Sequence, residues 1–111
     1  MNALTMNFEK KPQVKRFAFE ASKIETMPNL ALYHKFINWV SGEFELYLQD
    51  FSKNFVVFFP SGSLCIQCVK SDANFIQFQI DVKCQNKLYG TRIFNQTIEV
   101  LNQVYKLELH H

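Results

Sequence analysis

The sequence predicts an α+β fold: a two-layer sandwich in which two helices pack on one face of a four- to five-stranded antiparallel meander. Several short segments alternate apolar and polar residues, which is typical of half-buried strands, and two longer segments have helical spacing. The chain of 111 residues is 48% hydrophobic with twelve Phe, but has only three Gly and three Pro. Such a composition can fill one core and leaves little for long loops. We expect a loose leader at 1–12 and a single domain at 13–109.

The first predicted strand is 14–21, within the sequence VKRFAFEAS. Phe17, Phe19 and Ala21 fall on one side of an extended chain, and charged residues fall on the other side. This alternation indicates a strand, but it does not decide whether the strand joins the sheet.

A helix is predicted over 28–41, where Thr26 can cap the amino terminus, Pro28 suits an early helical position, and Gly42 can end the helix. Its apolar residues form two adjoining stripes, wider than on an ordinary surface helix. Either the helix is deeply set, or one stripe meets a partner through aromatic residues. The first stripe contains Leu30, Tyr33, Ile37 and Val40, and the second contains Leu32, Phe36 and Trp39.

Four segments predict the meander: 43–49, 54–59, 63–71 and 75–84. In the first, alternation puts Phe44, Leu46 and Leu48 on the buried face and Glu45 and Tyr47 on the exposed face. The second, NFVVFF, is apolar on both faces. It is therefore expected to be either a doubly covered central strand or a surface through which two chains form a homodimer.

The second helix is predicted near 94–106, where apolar residues recur at helical spacing. Its β-branched residues weaken the helix prediction, so an extended end up to 109 stays open. The segment KLYGTR before it is predicted to be a loop, because Gly90 should interrupt a regular element.

The sequence SLCIQCVK contains a C-x-x-C spacing, and the register of its hairpin predicts what the cysteines face. A three-residue loop, Asp72-Ala73-Asn74, places apolar residues opposite apolar residues on one face, whereas other loop lengths mix polar and apolar pairs. This register pairs Cys68 with Phe78 and Val69 with Gln77. The remaining predicted pairs are Leu64 with Val82, Cys65 with Asp81, Ile66 with Ile80, Gln67 with Gln79, and Ser71 with Phe75.

Residues three apart on a strand face opposite ways, so we expect Cys68 to be buried and Cys65 to be exposed. We also expect Cys84 to share the face of Cys68 and to behave as a small hydrophobic residue. This arrangement predicts neither a disulfide nor a metal site. The alternative that stays open is a structural zinc site made by Cys65, Cys68, Cys84 and His34.

No motif predicts an enzyme or a bound cofactor. The three isolated glycines fit neither a P-loop nor a dinucleotide-binding fingerprint, since both need clustered glycines. Glu43 and Glu45 would share a strand face at a spacing compatible with acid–base chemistry, and His34 lies on the narrow polar side of the first helix. All three are interpreted as solvated surface residues.

The positive charge of the chain is concentrated near its start. Residues 1–23 carry five Lys or Arg against two Glu, although the whole chain has a net charge of only +2. This basic arm could contact phosphates, so nucleic-acid binding is the alternative function. It would use Lys10, Lys11, Lys15 and Arg16.

By elimination, the sequence predicts a small non-enzymatic protein-binding module, such as an inhibitor, an immunity-type protein or an accessory subunit. The expected partner is a protein, and a homodimer is a second arrangement. With no apolar run long enough for a signal peptide or a membrane span, and with three cysteines, we expect a cytoplasmic protein. The predicted protein-binding residues are Trp39, Glu45, Tyr47, Gln67, Gln77 and Gln79; His110 and His111 are given no role.

Overall fold

A computed structural model describes residues 17–109, and their side chains as far as Glu108. Its elements in chain order are strand β1 (Phe19–Met27), helix α1 (Leu30–Glu43), strands β2 (Leu48–Asp50), β3 (Phe55–Phe59), β4 (Gly62–Ser71) and β5 (Ile76–Cys84), and helix α2 (Lys87–Leu109). The five strands form one antiparallel sheet in the order β1–β5–β4–β3–β2. The predicted fold class is confirmed, and the predicted leader lies outside the described residues.

Among residues 17–109 the sheet is packed on one face only. Alternate residues of β5, including Phe78, Ile80 and Val82, are fully buried. Helix α1 covers this inner face with aromatic side chains, and the ring centroids of Tyr33 and Phe36 lie 5.1 and 5.5 Å from that of Phe78. Because side chains alternate along a strand, the residues between them must point to the opposite, outer face. The inward residues predicted for this strand are therefore confirmed.

Strand β1 joins the sheet as an edge strand beside β5, with Phe19 opposite Cys84. It runs further along the chain than predicted, and residues 14–16 lie outside the described part. Two charged residues, Lys23 and Glu25, fall on its inner side and form an ion pair at 3.0 Å, and the Tyr105 hydroxyl donates to Glu25 at 3.1 Å. Their position at the sheet edge allows these charges to be solvated.

The start and end of α1 differ from the prediction. Asn29, rather than Thr26, is the capping residue, because its Oδ1 accepts a hydrogen bond from the Leu32 amide at 2.8 Å. Pro28 precedes the cap instead of lying within the helix. At the other end Gly42 lies inside the helix, which continues to Glu43.

The predicted strand 43–49 is wrong over most of its length. The helix extends to Glu43, and the following turn is closed by the Tyr47 amide, which donates to the carbonyl of Phe44 at 3.0 Å. Only Leu48–Asp50 forms a strand. Leu46 and Leu48, both expected to be buried, are 93% and 74% exposed. The segment does alternate apolar and polar residues. Its backbone nevertheless forms the hydrogen bonds of a helix end and a turn, so it cannot pair as a strand.

The predicted β4–β5 register is confirmed from Leu64 to Cys68 and fails beyond it. A bulge at Val69 shifts the pairing, so that Lys70 rather than Val69 faces Gln77, and Ser71 faces Ile76. The loop is consequently one residue longer, ending at Phe75, and its Asp72 carboxylate accepts the amide of Asn74 at 2.7 Å. Val69 is the extra residue of the bulge, and it has no partner on β5. The loop therefore contains four residues, 72–75, instead of the three predicted.

Helix α2 begins at Lys87, so the loop predicted for KLYGTR is wrong, and its helical end continues to Leu109. Asn86 accepts the Tyr89 amide at 2.9 Å, as a capping residue does. Gly90 is needed for packing rather than for a turn. A Cβ at Gly90 would lie 2.7 Å from the ring of Phe19 and 2.8 Å from Cβ of Cys84. The glycine therefore lets the helix approach the sheet closely.

Candidate binding surfaces

The outer face of the sheet is open among the described residues, because both helices pack on the other side. Rows of paired residues cross this face. One row runs from Lys83 through Ser63 and Phe58 to Leu48 at the far edge. Phe58 is 43% exposed, and Ile24 of β1 is 57% exposed on the same face. The outer face therefore combines scattered exposed apolar groups with polar ones.

The charges on the outer face nearly balance. Three carboxylates accompany two amines on the paired positions of this face: Glu20, Asp50, Asp81, Lys70 and Lys83. Uncharged amides occupy its centre, where Gln79 donates hydrogen bonds to the hydroxyl of Ser22 at 2.9 Å and to the carboxylate of Asp81 at 3.0 Å. The paired positions of this face consequently carry a net charge of only −1, and its centre is rich in amides.

The structure places three predicted protein-binding residues, Gln67, Gln77 and Gln79, together on the outer face. Trp39 lies elsewhere, on the helical layer. It is 38% exposed and borders a shallow apolar groove with Leu107 of α2. One flat interface cannot include both Trp39 and the glutamines, because the sheet separates them.

Glu45 and Tyr47 also lie away from the outer face. Glu45 is exposed in the turn after α1, whereas Tyr47 packs against the core and its hydroxyl is hydrogen-bonded to that of Tyr89. This bond, with partial burial, raises the pKa of Tyr89 to about 12. Arg92 lies 5.6 Å above the Tyr89 ring. The pair borders a cavity of about 300 Å³ that Glu43 also lines, so Tyr47 has a packing role that its predicted strand position did not indicate.

A second opening, which we name the α1 cleft, lies between the first half of α1, the loop after β2, and the β3–β4 strands. Its volume is about 450 Å³. The apolar side chains that line it are Leu30, Ile37, Phe51, Phe55 and Ile66, and the polar ones used below are Tyr33, His34, Lys53, Gln67 and Cys68. Sequence reasoning missed this cleft. Its only sequence signal is Phe51, an aromatic residue in an otherwise polar loop.

Tyr33 is the most deeply buried polar group of the α1 cleft, with only 9% of its surface exposed. Burial, with a smaller effect of the neighbouring thiols of Cys68 and Cys65, raises the pKa of Tyr33 to about 12. Among residues 17–109 its hydroxyl has no hydrogen-bond partner. Because Tyr33 lines the open cleft, water or a ligand can pair with this hydroxyl.

The thiols differ from their predicted exposure. Cys68 is on the inner side as predicted, yet it is exposed, because β3 begins at Phe55 and leaves it without a neighbour on that side. Cys65 on the outer face is half-buried. Burial raises the pKa of the Cys65 thiol, and Asp81 raises it further. Cys84 is fully buried, as expected.

His34 and Cys68 both border the α1 cleft, but within the described chain no hydrogen bond joins them. His34 instead has a ring contact with Tyr33 at 5.9 Å. A cysteine nucleophile is normally activated by a base within hydrogen-bonding reach. In residues 17–109, no group of three or more His, Cys, Asp or Glu side chains comes close enough to hold a metal ion. The alternative zinc site is therefore unsupported there.

The basic arm proposed for nucleic-acid binding, made by Lys10, Lys11, Lys15 and Arg16, lies outside the described residues. Its role stays a prediction. Neither helix of the described residues combines the length and hydropathy required to cross a lipid bilayer.

Comparison with known proteins gives no assignment. No protein-family model matches this chain, and no curated protein is significantly similar to it in sequence.

Proposed function

We propose that this protein is a non-enzymatic protein-binding module that takes its partner on the outer face of the sheet. The observation that carries the proposal is a sheet face that residues 17–109 leave uncovered, on which the apolar pair Phe58 and Leu48 is exposed at 43% and 74%. Exposed apolar groups surrounded by polar residues are typical of protein interaction surfaces. The glutamines Gln67, Gln77 and Gln79 lie on the same face, further along β4 and β5.

The balanced charge of the outer face favours a protein partner. Nucleic acid binds mainly through cationic residues that contact phosphates, and this face has more carboxylates than amines. A complementary partner would present an apolar patch bordered by uncharged hydrogen-bonding groups. The interaction should therefore depend only weakly on salt.

The size of the face favours a transient complex. With strands about 4.8 Å apart and residues about 3.3 Å apart, the five strands present roughly 550 Å². A standard stable interface buries about 800 Å² on each partner. The outer face alone falls short of that area, so we expect reversible binding unless the partner also contacts neighbouring loops.

The test compares Phe58→Asp with Leu88→Asp as a matched control. Both substitutions place a charge at an exposed apolar position, but Leu88, which is 82% exposed, lies in α2 and outside the outer face. Each variant is used as bait in native lysate, with mass spectrometry of the captured proteins and solution mass of the bait. Captured proteins should be lost with Phe58→Asp and retained with Leu88→Asp.

Two results would decide between partners or end the proposal. A wild-type solution mass of two chains that falls to one chain in Phe58→Asp identifies a second copy as the partner, as the apolar segment 54–59 predicts. Identical captured proteins and identical mass for both variants would show that the outer face binds nothing. Circular dichroism of both variants confirms that they are folded.

A further inference from the structure

We propose that the α1 cleft binds an aromatic monocarboxylate, with the ring system between the apolar walls and the carboxylate at Tyr33 and Lys53. The cleft opens beside α1 and shares one residue, Gln67, with the outer face. The proposal does not rest on the protein-binding role. The size, the walls and the polar groups of the cleft each restrict the ligand.

The volume fits a small organic molecule. The α1 cleft holds about 450 Å³, within the range of about 300–1,000 Å³ typical of small-molecule sites. An apolar cavity of about 150 Å³ accommodates a single benzene ring. The cleft therefore has room for two fused rings and a head group.

The walls favour an aromatic body. The rings of Phe51 and Phe55 are in tilted contact with their centroids 5.0 Å apart, and Phe51, which lines the cleft, is 58% exposed. Leu30 opposite is 53% exposed. Contact with a flat ligand would bury apolar surface of these side chains, which is favourable. Aromatic rings also favour offset or edge contacts with one another. A bound ring system would remove both exposed side chains from water.

The polar groups favour one negative charge. The buried Tyr33 hydroxyl, unpaired among the described residues, can donate to an acceptor. Among the described residues that line the cleft, Lys53 supplies the one formal charge, and none is Asp or Glu. A monocarboxylate matches one amine and one hydroxyl donor.

The amide of Gln67 adds a further donor at the cleft. Asn54 donates from Nδ2 to Oε1 of Gln67 at 3.2 Å, which fixes the orientation of the Gln67 amide and leaves its Nε2 to donate. Gln67 thus reaches the cleft rim from β4, beyond the end of β3.

The test uses three probes of similar size: naphthoate, naphthalenemethanol and naphthylmethylamine. Their affinities for the full chain are measured by calorimetry, and their position is mapped by amide chemical shifts. Naphthoate should bind about tenfold or more tightly than the alcohol, because hydrogen bonds to a charged group are the stronger ones. The amine should bind most weakly, since Lys53 repels it.

Three variants test whether Tyr33 and Lys53 cause the preference for naphthoate over the alcohol. Tyr33→Phe keeps the ring that packs on Phe78 and should weaken naphthoate binding about tenfold. Lys53→Met should bring the affinities of naphthoate and the alcohol together. Lys87→Met removes an exposed amine at the start of α2, away from the cleft, and should change nothing.

The outcomes that would overturn the proposal are equally specific. Equal affinity for the three probes, or no binding of naphthoate at millimolar concentration, would exclude a carboxylate site. Shifts at Trp39 and Leu107 instead of α1 and β4 would place the probe in the other groove. Failure here leaves the outer-face experiment unaffected, because Phe58→Asp does not touch this cleft.

Discussion

The two faces of β5 show how one strand serves two purposes. Its inner residues, such as Phe78 and Ile80, are fully buried under aromatic side chains of α1. Its outer residues, such as Gln79 and Asp81, bond only to other polar groups at the surface. Burial of apolar area is the main stabilising term in folding, so the inner face should determine stability. The outer face should be free to change in composition and therefore to bind.

The comparison of the two faces is tested most strongly by substitutions at two adjacent positions of β5, one on each face. Phe78→Ala removes a buried ring that contacts Tyr33 and Phe36, and it should lower the free energy of unfolding by about 3–5 kcal/mol. Gln79→Ala should change it by no more than about 0.5 kcal/mol. Urea denaturation measures both. Similar losses for the two variants would mean that the outer face also contributes to stability.

A second pair of variants compares glycines in tight and in open surroundings. A Cβ at Gly62 would lie 2.0 Å from the carbonyl oxygen of Lys83, so Gly62→Ala should cost about 3 kcal/mol of unfolding free energy. At Gly42, inside α1, nothing lies within 4 Å of an added Cβ. Gly42→Ala should therefore stabilise the protein by about 0.5–1 kcal/mol. Thermal unfolding followed by circular dichroism separates these opposite signs.

Alkaline pH tests the buried tyrosine of the inner face. Burial raises the pKa of Tyr33 from 10.0 to about 12, so the folded state keeps its proton more tightly than the unfolded chain. The stability that this supplies is fully present below pH 10 and is lost as pH rises from 10 towards 12. Urea denaturation across that range should show the loss. In Tyr33→Phe the decline should be shallower, and an unchanged slope would contradict the assignment.

The smallest expected effect concerns thiol chemistry on the two faces. Cys68 is exposed and should react first with a thiol reagent, ahead of the half-buried Cys65, whose raised pKa lowers its thiolate fraction. Cys84 is buried and should react only on unfolding. Peptide mapping after brief alkylation gives the order. Modification of Cys65 ahead of Cys68 would restore the exposure predicted from the sequence.

Local patterns predicted most of the fold. Alternation along 75–84 identified the inner residues of β5, and matching apolar pairs gave the hairpin register from Leu64 to Cys68. The same alternation predicted that Gln67, Gln77 and Gln79 share a face. Such predictions succeed where a strand is long and has one buried side, because a shift of one residue would expose its apolar set.

The errors occurred where a local signal has more than one physical cause. Gly90 was interpreted as a chain breaker, but its lack of a side chain serves the close contact of α2 with Phe19 and Cys84. The segment after Gly42 alternates as a strand does, yet helical hydrogen bonds extend through Glu43. The α1 cleft is formed by residues from α1, a loop and two strands, so no single stretch of sequence could show it.

By itself the sequence determined the fold class, the inner residues of β5 and the opposite orientation of Cys65 and Cys68, because side-chain periodicity is a property of the local backbone. Only the tertiary structure decided which of those cysteines is exposed, since Cys68 lies beyond the end of β3. It also decided that Tyr33 is buried beside an open cleft and that residues 17–109 leave the outer face uncovered. These features depend on where neighbouring elements begin and end, which local periodicity does not encode.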